Sequence, residues 1–431
     1  MGRFFLENYG CQMNLCEAES LKGLLTGAGW EELSGPGEAD LVVINTCSVR
    51  TTAENRIRGR LGFYKGLKES RPFLLAVMGC MTQRLGRRFR KDCPWVDILI
   101  GTFGKTAFVQ ALLENRVKTG DDFLEDREYP FIPAPPGSFK AFLPIMHGCD
   151  NFCSYCIVPF VRGREVSRSS EEIIREARRL SAQGVQELTL LGQNVNSYRE
   201  GEMDFAGLLR GLLRETGIPW IRFLSPHPKD LSPRLIDLMA GESRICRHLH
   251  LPVQHGSDRI LKAMNRGYTA SGYLALTEEL RRRLPGLGLT TDFLIGFPGE
   301  TPEDFQAVLD LAEKVRFEDA FTYYYNPIEG TAAFGLPDQI PEAEKKRRLA
   351  LLIEFQKELS RGEKQRYLGV RTLVLGEGLS RLNVGEVLAR TEQNNMLIFK
   401  GGKERIGRFS QVAILSLRGN TLAGEAVNKK E

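Results

Sequence analysis

The sequence contains no run of about 18 uninterrupted apolar residues, which argues against a helical membrane span. It has no low-complexity or glycine-periodic stretch, and at 42% hydrophobic and 26% charged it carries neither a disordered nor a collagen-like composition. Met1-Gly2-Arg3-Phe4-Phe5-Leu6-Glu7 is too short and too soon charged for an export signal, and Leu6 stands where a myristoylation site needs Ser or Thr. The expectation is a cytoplasmic protein with no membrane partner. Nine cysteines in such a compartment do not read as a disulfide framework, so metal ligation or catalysis is the better reading.

At 431 residues the chain is too long for one ordinary domain. The net charge of +5 is unevenly placed: from Lys364 to Glu431 there are 12 Lys/Arg against 6 Asp/Glu, which leaves the first 363 residues at −1. The positive excess sits in a C-terminal appendix and hints at a polyanionic partner.

Three fold patterns follow one another. Residues 1–120 repeat an apolar run, a cysteine and a helical pattern. Arg3 to Tyr9 precedes Cys11, Leu41 to Ile44 precedes Cys47, and Phe73 to Met78 precedes Cys80. Asn14 reads as a helix cap with Glu17 as its capping-box partner. Short apolar strands alternating with helices predict a doubly wound parallel sheet. Cys11, Cys47 and Cys80 then lie just past the carboxyl ends of parallel strands, the edge where such sheets place ligands.

Residues 121–138, acidic and then proline-rich, read as a linker. Residues 139–363 alternate strand and helix again, with strands expected at 141–146, 187–191, 220–224, 248–253, 290–295 and 320–325. Six such units predict a partial or complete parallel barrel. From 364 to 428, short β-like runs with glycine turns predict a small, basic, OB-like β-barrel of the kind that binds RNA. The fold class is α/β with this small β-barrel appended.

The sharpest local signal is CxxxCxxC at Cys149, Cys153 and Cys156, following the first barrel strand. Three thiolates on a four-iron cubane leave one iron without a protein ligand, where a substrate can bind and receive an electron. The alternative is zinc with His147 as fourth ligand. Cys16, Cys93 and Cys246 read as packing thiols, and His227, His248 and His250 as structural histidines.

CxxxCxxC at the mouth of a parallel barrel resembles the radical S-adenosylmethionine (SAM) enzymes. The resemblance implies a [4Fe-4S] cluster whose open iron chelates SAM, and reductive cleavage to a 5′-deoxyadenosyl radical. Tyr155 suits the aromatic place beside the last cysteine, and the string Thr291 to Glu300, a strand running into glycines and an acid, looks like the adenine-contacting strand. With Cys11, Cys47 and Cys80 as a second open cluster, the whole chain is similar to the radical SAM methylthiotransferases. The strings that carry this are Tyr9-Gly10-Cys11-Gln12-Met13-Asn14, Asn45-Thr46-Cys47-Ser48-Val49-Arg50, Gly79-Cys80, Arg162-Gly163-Arg164-Glu165-Val166-Ser167-Arg168, Leu191-Gly192-Gln193-Asn194-Val195-Asn196 and His250-Leu251-Pro252-Val253-Gln254. The small barrel would be the family's TRAM domain.

The resemblance implies Gly192, Gln193, Asn194, Gln254, Asp292 and Gly296 as cofactor contacts beside Tyr155. It implies two SAM molecules, one a methyl donor and one a radical source. A low-potential electron donor such as flavodoxin or ferredoxin is an expected partner, and the expected state is a monomer. The first two strings look most like the branch that acts on N(6)-dimethylallyladenosine next to the tRNA anticodon. Sister branches act on threonylcarbamoyl-adenosine or a ribosomal aspartate, and a non-catalytic iron–sulfur RNA-binding redox sensor is the rival of another class. His255 stands where the family pattern has Ser. Candidate RNA contacts are Arg162, Arg164 and Arg168 near the mouth and Arg371, Arg390, Lys400 and Arg405 in the small barrel, with a further run at Arg84, Arg87, Arg88, Arg90 and Lys91.

Overall fold

Leu41-Val42-Val43-Ile44 is apolar on both sides of a strand, so it can only be satisfied between two layers of helix. In the computed structural model, which describes residues 2–48, 51–114, 116, 123–124 and 138–427 (backbone alone at 51–53 and 87), this segment is the buried centre of a six-stranded sheet. Its strands are β1 (Arg3–Asn8), β2 (Glu31–Glu32), β3 (Leu41–Thr46), β4 (Leu74–Gly79), β5 (Ile98–Ile100) and β6 (Phe123–Leu124). All pair in parallel, in the order β2-β1-β3-β4-β5-β6. Val42 and Ile44 pack on one face with Ile57, Leu61 and Tyr64 of the helix Thr51–Ser70. Leu41 and Val43 pack on the other with Leu21 and Leu25 of Gln12–Gly27 and Phe108 of Lys105–Leu113. The predicted doubly wound sheet is present, with three strands beyond the three read from the sequence.

Two local expectations change. Phe123–Leu124, assigned to the linker at 121–138, is the edge strand β6; the rest of that segment, apart from Ser138, lies outside the described residues. Asn14 is not the helix cap. Cys11 holds that position, and the Asn14 amide instead donates to the Thr46 carbonyl at 3.0 Å, tying the helix to the end of β3. Glu17 is buried at 2% exposure and its carboxylate takes Arg162.

The central region places β7 (Lys140–Pro144), β8 (Met146–His147), β9 (Val166–Ser167), β10 (Glu187–Leu191), β11 (Arg199–Glu200), β12 (Met203–Asp204), β13 (Trp220–Phe223), β14 (His248–His250), β15 (Gly288–Ile295) and β16 (Asp319–Tyr324). Six of these strands form two parallel sheets, β13-β10-β7 and β14-β15-β16, linked by the bridge Ile221↔Ile245. One core runs through both, including Leu143, Leu190, Ile221, Leu249 and Phe293. The result is a partial barrel.

The last region is a closed barrel of β17 (Arg371–Leu379), β18 (Glu386–Thr391), β19 (Met396–Lys400), β20 (Phe409–Arg418) and β21 (Thr421–Ala426), ordered β17-β18-β19-β21-β20. The β-like runs read from the sequence are 371–375, 384–390, 396–399 and 411–417; the fifth strand gives little signal because Thr421-Leu422-Ala423-Gly424-Glu425-Ala426 is weakly apolar, and Leu422 alone of the six is large and enters the barrel core. This barrel caps the amino ends of the central strands. Arg222 donates to the Thr391 and Glu392 carbonyls at 2.8 Å each, and the Trp220 and Phe409 rings meet edge-on at 4.8 Å.

Candidate active site

Gly148 makes the Cys149–Cys156 loop possible. Its φ is +77°, and a Cβ there would lie 1.9 Å from the Arg164 carbonyl oxygen. The loop is then held from several sides. Ser154 N–H donates to the Met264 carbonyl at 3.0 Å, and Asn265 Nδ2 to the Asn151 and Phe152 carbonyls at 3.2 and 3.1 Å. Phe152 itself is left-handed at φ +45°, a conformation costly for a bulky side chain unless its surroundings enforce it. Gly148→Ala is expected to abolish iron uptake by this loop while leaving that of the Cys11 trio. Iron analysis of the reconstituted variant checks this.

All nine cysteines are free thiols. Burial pushes Cys156 up to about 12, with the neighbouring Cys153 and Cys149 adding to it. Burial likewise pushes Cys149 up to about 11. In the first domain, Cys11 caps its helix, Cys47 follows β3 and Cys80 opens the helix Cys80–Leu85 directly after β4. Cys80 is raised to about 12 by burial; Arg162 opposes the rise, while Cys47, Glu17 and Cys11 add to it. Bare thiolates at Cys80, Cys149 and Cys156 are therefore disfavoured until a cation takes up their charge, which suits a metal-binding donor set.

Among the described residues no three His, Cys, Asp or Glu are drawn close enough to hold a single metal ion. A cubane separates its thiolates over different corners and asks for a wider spacing than one ion does. His147, the fourth ligand that zinc would require, lies edge-on to the Phe103 ring at 5.4 Å. The mononuclear alternative thus gains no geometric support.

The segments that carry the two trios meet across one seam. Cys80 packs with Ile157 and Val161, and Ile157 follows Cys156 in the chain. Thr102 Oγ1 donates to the Val161 carbonyl at 2.8 Å. Beneath this contact, Arg162 donates with both terminal nitrogens to Glu17, at 2.8 and 3.1 Å, and Lys105 stands 4.0 Å from the same carboxylate. All three side chains are at most 3% exposed.

The cofactor-contact candidates gather at the carboxyl ends of the central strands. Gly192 faces Met146, whose Cγ would lie 2.6 Å from an added Cβ. Gln193 Oε1, Asn194 Oδ1, His227 Nε2 and Tyr325 Oη are buried without a hydrogen-bond partner among the described residues. Each follows a strand end, as does the left-handed Gln254 (φ +70°). Orphaned buried polar atoms at one edge call for a polar ligand, and a zwitterionic sulfonium nucleoside fits them. Asp292 Oδ2 lies 3.5 Å from His250 Nε2. The turn at Gly296 is anchored by Glu300, which accepts from the Gly296 N–H at 2.5 Å and from Arg348 at 2.6 Å. His255, which stands where the family pattern has Ser, joins this network, 3.1 Å from Glu300 and fully buried, as a structural partner of the turn.

Three of the proposed RNA contacts are redirected. Arg162 is sealed against Glu17, and Arg168, 8% exposed, pairs with Glu176 at 2.6 Å. Arg390 is held by Glu377 at 3.1 Å, a carboxylate that also takes Lys140 at the junction of the two barrels. Their charge is neutralised within the protein. Arg164, Arg371 and Lys400 are exposed and Arg405 is half-buried. In the Arg84 run, Arg84 pairs with Glu54 at 2.7 Å and Arg88 with Glu329 at 3.0 Å.

Sequence reasoning missed Arg266, whose Nη1 lies 3.3 Å from the Cys153 sulfur. A single arginine after a helix carries no local mark, and 113 residues separate it from that cysteine.

Three family models and full-length relatives match the chain. Residues 3–101 match the model of the uncharacterised protein family UPF0004, 143–312 the radical SAM superfamily and 365–427 the TRAM domain. The tRNA-2-methylthio-N(6)-dimethylallyladenosine synthase of Treponema denticola is 45% identical, covering 97% of this chain and 98% of its own length. That of Geobacter sulfurreducens is 43% identical over 99% and 98%. Among solved structures, the radical SAM methyltransferase TsrM from Kitasatospora setae has a TM-score of 0.58 at 15% identity, with 77% of each chain covered. The cobalamin-dependent radical SAM enzyme OxsB gives 0.53 at 12%, covering 83% of this chain and 56% of its own. Those two likenesses speak to the fold alone. On the full-length identities and the three matched modules, the chain belongs to the tRNA-2-methylthio-N(6)-dimethylallyladenosine synthase family of radical SAM methylthiotransferases.

Proposed function

We propose that the protein attaches a methylthio group to the ring 2-position of N(6)-dimethylallyladenosine, immediately 3′ of the anticodon in tRNA. The observation that carries this is the seam itself, where Cys80 of one thiol trio packs on the segment that follows Cys156 of the other. The hydrogen on an aromatic ring carbon is neither acidic nor displaceable, so general acid–base groups have no purchase on it. When bound, two [4Fe-4S] clusters and SAM supply the electron, the radical, the methyl group and a vacant metal corner for sulfur.

The chain's own residues hold and orient these parts. Cys149, Cys153 and Cys156 ligate one cluster and Cys11, Cys47 and Cys80 the other. Gln193, Asn194 and His227 hydrogen-bond the polar groups of SAM, and Tyr155, packed with Met264, Phe297 and Tyr325, keeps water from that side. Arg164 at the mouth and Arg371, Lys400 and Arg405 on the small barrel attract the anticodon stem-loop. A low-potential one-electron carrier such as flavodoxin or ferredoxin reduces the enzyme, which works as a cytoplasmic monomer. No helix among the described residues is long and apolar enough to cross a membrane.

Nucleoside mass spectrometry of tRNA from a strain lacking the gene tests the assignment. The 2-methylthio derivative of dimethylallyladenosine should vanish and its unthiolated precursor accumulate, with threonylcarbamoyl-adenosine products unchanged. Loss of a different methylthio product would move the protein to a sister branch.

A further inference from the structure

Arg266 is a buried cation, 6% exposed, with no carboxylate within 4 Å among the described residues. Desolvating a guanidinium without an anionic partner is expensive, and native proteins rarely leave one so. The position is nevertheless over-determined. Nε donates to Tyr268 Oη at 2.8 Å, Nη2 to the Pro252 carbonyl at 2.9 Å, and Nη1 points to Cys153 Sγ at 3.3 Å and Tyr155 Oη at 3.5 Å. The preceding Asn265, left-handed at φ +58°, grips the Asn151 and Phe152 carbonyls, so the cation and the cysteine loop are placed as one unit. The anion that this cation lacks is the one that three thiolates would create on assembling a cluster.

We propose that Arg266 sets the electron affinity of the cluster held by Cys149, Cys153 and Cys156, donating to the Cys153 sulfur and placing a buried positive charge beside it. The inference rests on the reading that these cysteines ligate a [4Fe-4S] cluster. One-electron reduction by an external low-potential donor adds one negative charge to the cluster. A fixed cation at hydrogen-bond distance in a poorly solvated site favours that reduced form over the oxidised one. Hydrogen bonds to ligand sulfurs act in the same direction. Arg266 is therefore a positioning and tuning residue, acting through Cys153.

The test uses full-length protein carrying Cys11→Ala/Cys47→Ala/Cys80→Ala, so that a single cluster reports, with Arg266, Arg266→Lys or Arg266→Gln. Iron is counted, and reduction is followed by electron paramagnetic resonance against potential, with and without SAM. At the parent's midpoint, the Gln variant should show a reduced-to-oxidised ratio about tenfold lower, a shift of about 59 mV to more negative potential for a one-electron couple. Lys should fall between, and both should keep about four irons. If Gln loses its iron, the Lys variant decides. A Lys midpoint below the parent's supports the proposal and one at or above it overturns it. Unchanged midpoints with iron intact overturn it, as does a shift seen only with SAM present, which would assign Arg266 to the cosubstrate. A parent that binds no iron refutes the cluster reading itself, and the tuning role with it.

Discussion

Replacing Cys11, Cys47 and Cys80 together by alanine is expected to lower the iron of the reconstituted protein from about eight to about four per chain, since each cubane carries four. The same variant should still cleave SAM to 5′-deoxyadenosine on addition of reductant, because the Cys149–Cys156 loop is held within its own domain by Gly148, Met264 and Asn265. It should form no methylthio product. The loss would be chemical rather than structural. Cys47 and Cys80 are small buried side chains, and truncating each to alanine removes one sulfur atom from a sheet edge whose packing rests on Val42, Ile44, Val77 and Leu75. Iron analysis, nucleoside release and tRNA mass spectrometry on one preparation distinguish the cases. A wild-type protein that saturates at about four irons would end the two-cluster reading.

Arg162→Ala should be the most destabilising single change at the seam. It strips Glu17, 2% exposed, of a bidentate partner and leaves a buried carboxylate behind. Breaking such a pair from one side costs about 3–5 kcal/mol. Lys105, 4.0 Å from the same carboxylate, softens the loss and argues for the lower end, about 3 kcal/mol. Urea unfolding followed by fluorescence should show an earlier midpoint for the transition that includes the first domain. The pair also bears on how the two trios are placed, since Glu17 lies on the helix that Cys11 caps and Arg162 ends the short helix Val158–Arg162 that follows Cys156. The variant should therefore release 5′-deoxyadenosine with less methylthio product per turnover than wild type. A variant as stable and as well coupled as wild type would mean that water reaches the pair and the seam is held elsewhere.

The same arginine shows where reading from sequence stops. Arg162, Arg164 and Arg168 are indistinguishable in the string that contains them, yet one is 70% exposed and two are buried in ion pairs. The partner of Arg162 lies 145 residues away, where Glu17 looked like an ordinary capping residue. His255 shows the same limit, since Glu300, 45 residues on, decides its role. Weak strands failed for a related reason: β6 has two residues and β21 is mostly small side chains, so neither carries a periodic signal strong enough to separate strand from loop.

What the amino-acid sequence determined by itself was everything that depends on near neighbours. The CxxxCxxC spacing, the apolar runs of the parallel strands, the cysteines placed within three residues past them, and the basic final module are all short-range patterns, written in residue type and period. The tertiary structure alone decided which charges are surface and which are sealed, which polar atoms are left waiting at the strand ends, and that Arg266 stands against Cys153. Burial and pairing are properties of the partner as much as of the residue. A charge becomes internal only when folding brings its counter-charge, or the site of a future one, from a distant part of the chain.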